Sequence, residues 1–181
     1  GEAGLWSALE YFLKAIIPVA EEEQVLLGLH PDDPSFNVRG RPRIAKDGVA
    51  LQRVVDIVPS ASNGITFCPG SLATNRHNDV MDIAERLWPH FIFSHFRNIR
   101  FLSEEEFDGE WAFLETYHED EKGAVPLVPL LKLLHEKGCK MPYRADHAPG
   151  MYGHDANFGY GLVARAQGLS FLQGVLRGLD A

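Results

Sequence analysis

Four side chains with metal-binding chemistry stand at the ends of four short apolar runs. His30 follows VLLGL, Cys68 follows GITF, His95 follows FIFS, and Asp146 lies just past MPYR. Two imidazoles, one thiolate and one carboxylate would turn two negative charges toward a divalent cation. Imidazole and thiolate suit zinc, iron and other transition metals, and the carboxylate also admits manganese. Each residue alone has a plainer explanation. A histidine at a strand end is commonly a hydrogen-bonded loop residue, a lone cysteine in a strand is a small buried hydrophobe, and Asp146 could cap a turn. The recurrence on four successive runs carries the argument for one shared metal site.

Other groups could join the same chemistry. Arg97 follows His95 by two residues and would share its rim; alone it reads as a surface arginine. His147 adjoins Asp146, and Tyr160 opens the last helical segment after Phe158 and Gly159; alone they read as a solvated loop histidine and a packing aromatic. Glu115 and His118 lie in the charged segment FLETYHED, which reads as a solvated loop. The run SEEEFDGE from Ser103 to Glu110 reads as solvated charge, and no pattern lifts His77, His90, His135 or His154 above surface residues.

These residues need elements to hold them. Leu5, Leu9, Phe12, Ile16 and Val19 recur at helical spacing over roughly residues 4–22, with Pro18 expected to kink the helix. A short strand is expected at 24–29, then a Pro-rich loop over 31–46 and a helix over 48–58. A strand at 64–67 is followed by a turn-rich loop and a helix at about 79–88. A strand at 91–94 leads into an irregular charged stretch over 96–124. A helix over 126–136, a strand over 141–144 and a last helix over about 160–179 complete the chain. That last helix is expected to turn Leu162, Ala166, Leu169, Leu172 and Leu176 inward. Strict alternation of helix and strand argues for an α/β fold with parallel strands. Right-handed crossovers then place every strand C-terminus on one edge, where α/β proteins build their sites.

The chain of 181 residues is 45% hydrophobic, enough for a real core, and carries a formal net charge of −8. An acidic chain repels phosphate backbones and anionic membranes unless its basic residues cluster. Arg39, Arg41 and Arg43 form the one dense basic patch, so neither nucleic acid nor membrane is expected as a partner. No stretch is read as approaching the roughly 18 apolar residues of a membrane span. Two distant cysteines, Cys68 and Cys139, make no disulfide framework and fit a reducing, cytoplasmic setting.

Read together, the motifs resemble the C-terminal half of the mannonate dehydratases. The resemblance runs through FLKAIIPVAEE, LHPDDP, NGITFCPGSL with Asn78 and Asp79 after it, HFRN, FLETYH, RADH and GYGLVARAQGL, in order and over essentially the whole chain. It departs where Ala145 and Ala148 replace the family's proline and glycine around Asp146 and His147. The resemblance implies a (β/α)8 TIM barrel of the xylose-isomerase-like kind, of which residues 1–181 would be a single partial domain, the incomplete C-terminal half. It implies a carbon–oxygen lyase that removes water from D-mannonate to give 2-keto-3-deoxy-D-gluconate in hexuronate catabolism, with Mn2+ or Fe2+ as cofactor. By motif, the metal ligands would be His30, Cys68, His95 and Asp146. Catalysis and substrate binding would fall to Arg97, His147 and Tyr160, with His118 a substrate contact. The full-length enzyme is expected to be a homo-oligomer acting on a small sugar acid, and the isolated half to be inactive. The same barrel class also hosts sugar isomerases, epimerases and nucleases; a metal-binding remnant without catalysis is the alternative from another class. The acidic charge and the cysteine speak against a nuclease, and HPDDP with FCPGS favours the dehydratase.

Overall fold

The computed structural model describes residues 1–103, 111–150 and 160–181. Most of the run from Ser103 to Glu110, together with His154, therefore lies outside the described residues. The elements are α1 (Glu2–Glu22), β1 (Leu27–Leu29), α2 (Gly48–Ile57), β2 (Asn63–Phe67), α3 (Pro69–Ala73), α4 (Val80–Leu87), β3 (Phe91–Phe96), β4 (Asn98–Phe101), β5 (Phe113–Thr116), α5 (Leu127–Glu136), β6 (Tyr143–Ala145) and α6 (Leu162–Leu179). Strands β1, β2, β3 and β6 form one sheet in that order, every pair parallel. The fold is the α/β alternation the sequence implies, a parallel sheet not closed into a barrel within this chain.

Local chemistry explains the helix starts. Asp47 accepts a hydrogen bond from the Ala50 amide and Asp79 accepts from Met81 and Asp82, so both carboxylates cap their helices. The main core lies between the sheet and α2, α4, α5 and α6. Ile65, Phe67 and Phe96 meet Leu51, Leu87, Leu130 and Leu172 there, and Phe67 stacks on Phe91 at 4.2 Å between ring centroids. Burying side chains of this size stabilises by about 1.5–3 kcal/mol each.

Four expectations need correction. The inward face of α1 is Trp6, Leu13, Ile17 and Ala20, packed near Ala50 and Val54 of α2, while Leu5, Phe12 and Val19 are exposed. The helix is apolar nearly all round, so period alone leaves its phase undetermined. For the same reason α1 has the length and apolarity of a membrane span, which the sequence reading had excluded; in the fold its inner face packs on α2. The inward face of α6 is Ala164, Gly168 and Leu172, with Leu162 and Leu169 exposed. The supposedly irregular stretch after β3 holds an antiparallel hairpin, β4 against β5, in register Asn98 to Thr116 and Phe101 to Phe113.

Candidate metal centre and its flanking acid–base pair

Three adjacent parallel strands deliver the centre. His30 is the residue after β1, Cys68 the residue after β2, and His95 the fifth residue of β3. Their ligand atoms all lie within 4.8 Å of one another, and the His30 and His95 rings are 5.0 Å apart by centroid. Asp146 follows β6, the next strand over. Its backbone N–H donates to the Phe96 carbonyl at 2.9 Å, and its Oδ2 lies 3.7 Å from His95 Nδ1. The other oxygen, Oδ1, accepts from Arg144 at 2.6 Å. Asp146 therefore borders the three-residue cluster through His95.

The surroundings prepare these groups as ligands. His30 Nδ1 lies 2.6 Å from the Pro31 carbonyl, an acceptor only, so this nitrogen carries a hydrogen, the tautomer that leaves Nε2 as the ligating atom of a metal-bound ring. Burial pulls the His95 imidazole down to about 4, against the opposing pull of Asp146 and with the help of Arg144, His30 and His147. His95 is thus neutral near pH 7. Burial pushes the Cys68 thiol up to about 11, although Arg97 and a hydrogen bond from Ser71 act the other way. Ser71 Oγ donates to Cys68 Sγ at 3.0 Å from within α3, a short helix where the sequence implies a turn-rich loop. Two imidazoles and a thiol converging at this range fit a divalent transition metal, which would take the thiol as thiolate.

Beside the cluster lies a second constellation. Tyr160 Oη is 2.6 Å from His147 Nε2, with the rings 4.5 Å apart and nearly edge to face. A parallel bridge between Ala148 and Tyr160 brings the start of the last helical segment alongside the Asp146–His147 pair. His147 Nε2 is also 3.9 Å from Asp146 Oδ2. The two expected proton-transfer residues are thus together, next to the expected ligands.

The two other expected site residues, Arg97 and His118, are both buried. Arg97 is 1% exposed, one Nη paired with Asp33 and the other with Glu115 Oε1 at 3.0 Å. Its shaft crosses Gly70 of α3 so closely that a Cβ there would collide with it. The guanidinium is thus held between the Asp33 and Glu115 carboxylates. His118 is 2% exposed, and its Nε2 donates to the Phe96 carbonyl at 2.8 Å, the same carbonyl that receives the Asp146 amide. The ring fills the space that the missing side chain of Gly168 leaves on α6. His118 is thus a strut between β3 and α6.

The partners of these residues are not marked in the sequence. Asp32 accepts from the Ile44 and Ala45 amides at 2.9 and 2.8 Å and folds the long loop back, while Asp33 pairs with Arg97. The adjacency of two aspartates to His30 is the available signal. Glu115 stands out in the sequence only as part of the charged segment FLETYHED, because Arg97 and His147 reach it from other elements.

A family model described as D-mannonate dehydratase (UxuA) matches residues 1–181. Mannonate dehydratase of Enterococcus faecalis (strain ATCC 700802 / V583) is 38% identical over 180 residues, covering 99% of this chain and 49% of the relative. That of Streptococcus uberis (strain ATCC BAA-854 / 0140J) is 40% identical over 176 residues, covering 96% and 49%. The crystal structure of mannonate dehydratase from Streptococcus suis serotype2 superposes with a TM-score of 0.90 at 36% identity, over 99% of this chain and 50% of that one. A xylose isomerase-like TIM barrel protein from Mycobacterium smegmatis in complex with magnesium has a TM-score of 0.68 at 16% identity, over 96% and 52% of the two chains, a likeness of fold alone. The chain spans about half the length of the curated relatives it matches.

Proposed function

This chain belongs to the D-mannonate dehydratase family, and from that premise we propose that it forms the C-terminal half of a (β/α)8 barrel which removes water from D-mannonate to give 2-keto-3-deoxy-D-gluconate. The observation that carries the reading is the convergence of His30, Cys68 and His95 beside the hydrogen-bonded His147–Tyr160 pair. The half-barrel assignment is supported by the four-stranded parallel sheet and by the coverage of half of each relative.

His30, Cys68, His95 and Asp146 would hold manganese or ferrous iron. Bound by these residues, such an ion would supply Lewis-acid charge that makes the proton beside a substrate carboxylate easier to remove. The rest falls to the chain. One proton must leave C2 and one must reach the departing C3 hydroxyl, so that water is expelled and the resulting enol returns as the 2-keto acid. His147 and Tyr160 are the pair for these two transfers. Arg97, paired with Asp33 and Glu115, holds the wall behind them. Free Cys68 and Cys139 agree with a reducing compartment for such a catabolic enzyme.

The test is D-mannonate dehydration by the complete barrel, stripped with a chelator and then given manganese or iron. The proposal predicts turnover that disappears on stripping and returns with the metal. Turnover indifferent to chelation, or absent with mannonate yet present as epimerisation of another sugar, would overturn it.

A further inference from the structure

Glu115 lies in β5, outside the metal cluster and outside the His147–Tyr160 pair, yet it touches the framework of both. Its Oε1 accepts from Arg97 Nη2 at 3.0 Å and faces His147 Nδ1 at 3.2 Å. On the far side of the same imidazole, Nε2 meets the Tyr160 hydroxyl at 2.6 Å. The three groups stand in line: carboxylate, imidazole, phenol.

The chemistry of the line follows from who can donate. A carboxylate has no proton to give, so the His147 nitrogen facing it carries the hydrogen. The neutral ring then has a bare lone pair at Nε2, and the Tyr160 hydroxyl must be the donor in that bond. Without Glu115 the ring could equally hold its hydrogen on Nε2, which would meet the phenol with an N–H and could accept nothing from it. Arg97 already has a carboxylate partner in Asp33, so balancing that buried charge leaves the bond from Glu115 to His147 unexplained.

We propose that Glu115 is a positioning residue for the dehydration: it selects the His147 tautomer whose Nε2 exchanges a proton with Tyr160. In that exchange the Tyr160 O–H bond breaks as the Nε2–H bond forms, or the reverse, and no other reagent takes part. The inference rests on the functional reading above, but its first test does not. Nitrogen NMR of His147 in the metal-free complete protein reads the tautomer directly, whether or not mannonate is the substrate. The expected result is hydrogen on Nδ1 in the wild type and a mixed population in Glu115→Gln. The kinetic arm expects Glu115→Gln to lower kcat by about 10- to 100-fold, with KM and metal content close to wild type and with activity partly recovered in Glu115→Asp. Loss of kcat and metal together would instead make Glu115 a structural counterion of Arg97 and overturn the proposal. So would a wild-type His147 protonated on Nε2, or a Glu115→Gln variant with unchanged kcat. A wild type that turns over no mannonate removes the functional reading alone, since the tautomer measurement still decides the role of Glu115.

Discussion

Cys68 holds its proton when no metal is present, because burial lifts its thiol to about 11. A bound divalent ion needs the thiolate, so loading must expel that proton. His95, drawn down to about 4, has none to lose near neutrality. Metal affinity should therefore rise about tenfold per pH unit between about pH 7.5 and 9.5, one proton leaving per ion. Competition titration with a chelating dye at several pH values checks this. Cys68→Ser should flatten the slope and shift preference toward harder ions; an unchanged slope would make Cys68 a core residue. For the neighbouring pair, Tyr160→Phe and His147→Asn should each lower kcat by about 10²–10⁴-fold in the complete enzyme. Metal content should stay normal, and near-wild-type rates for both would remove them from the mechanism. The meeting of His30, Cys68 and His95 was legible because each closes an apolar run that must be a strand, and parallel strands end together. The partnerships of Asp33 and Glu115 with Arg97 were not legible. The Arg97 they flank is 64 residues from Asp33 in sequence, and a lone acidic residue looks like solvated charge until its partner arrives.

At the scale of elements, alternation of helix and strand was readable, whereas helix phase was not. On α1, Leu5 and Trp6, or Phe12 and Leu13, sit side by side, and only the docking of α2 decides which one turns inward. On α6 the deciding residue is a glycine, which no hydrophobic pattern would nominate. Gly168 faces inward because the His118 ring occupies the place of its side chain. Gly168→Ala should therefore overpack this seam and destabilise by about 1–3 kcal/mol, read as a lower denaturant midpoint. The double variant with His118→Ala should be more stable than the sum of the two single losses implies, since the clash disappears. A double variant less stable than the sum of its single variants would contradict the strut. The hairpin escaped notice for a related reason: β4 and β5 are four residues each, and their pairing satisfies backbone groups whatever the charges between them.

The whole molecule presents a four-stranded parallel sheet whose outer strands, β1 and β6, each have one paired neighbour in it. Four strands cannot close an eight-stranded barrel. The 181-residue chain alone is expected to show no mannonate turnover, and co-expression with the N-terminal half of a family member to restore it; turnover by the chain alone would overturn the half-barrel assignment. The central claim is that the ends of neighbouring strands hold one ion through His30, Cys68, His95 and Asp146. X-ray absorption at the iron edge of the ferrous-loaded complete protein tests it most directly. The account predicts a single sulfur scatterer in the iron shell, lost in Cys68→Ser, with the remaining scatterers nitrogen and oxygen. An iron shell without sulfur in the wild type, or one unchanged by Cys68→Ser, would contradict it.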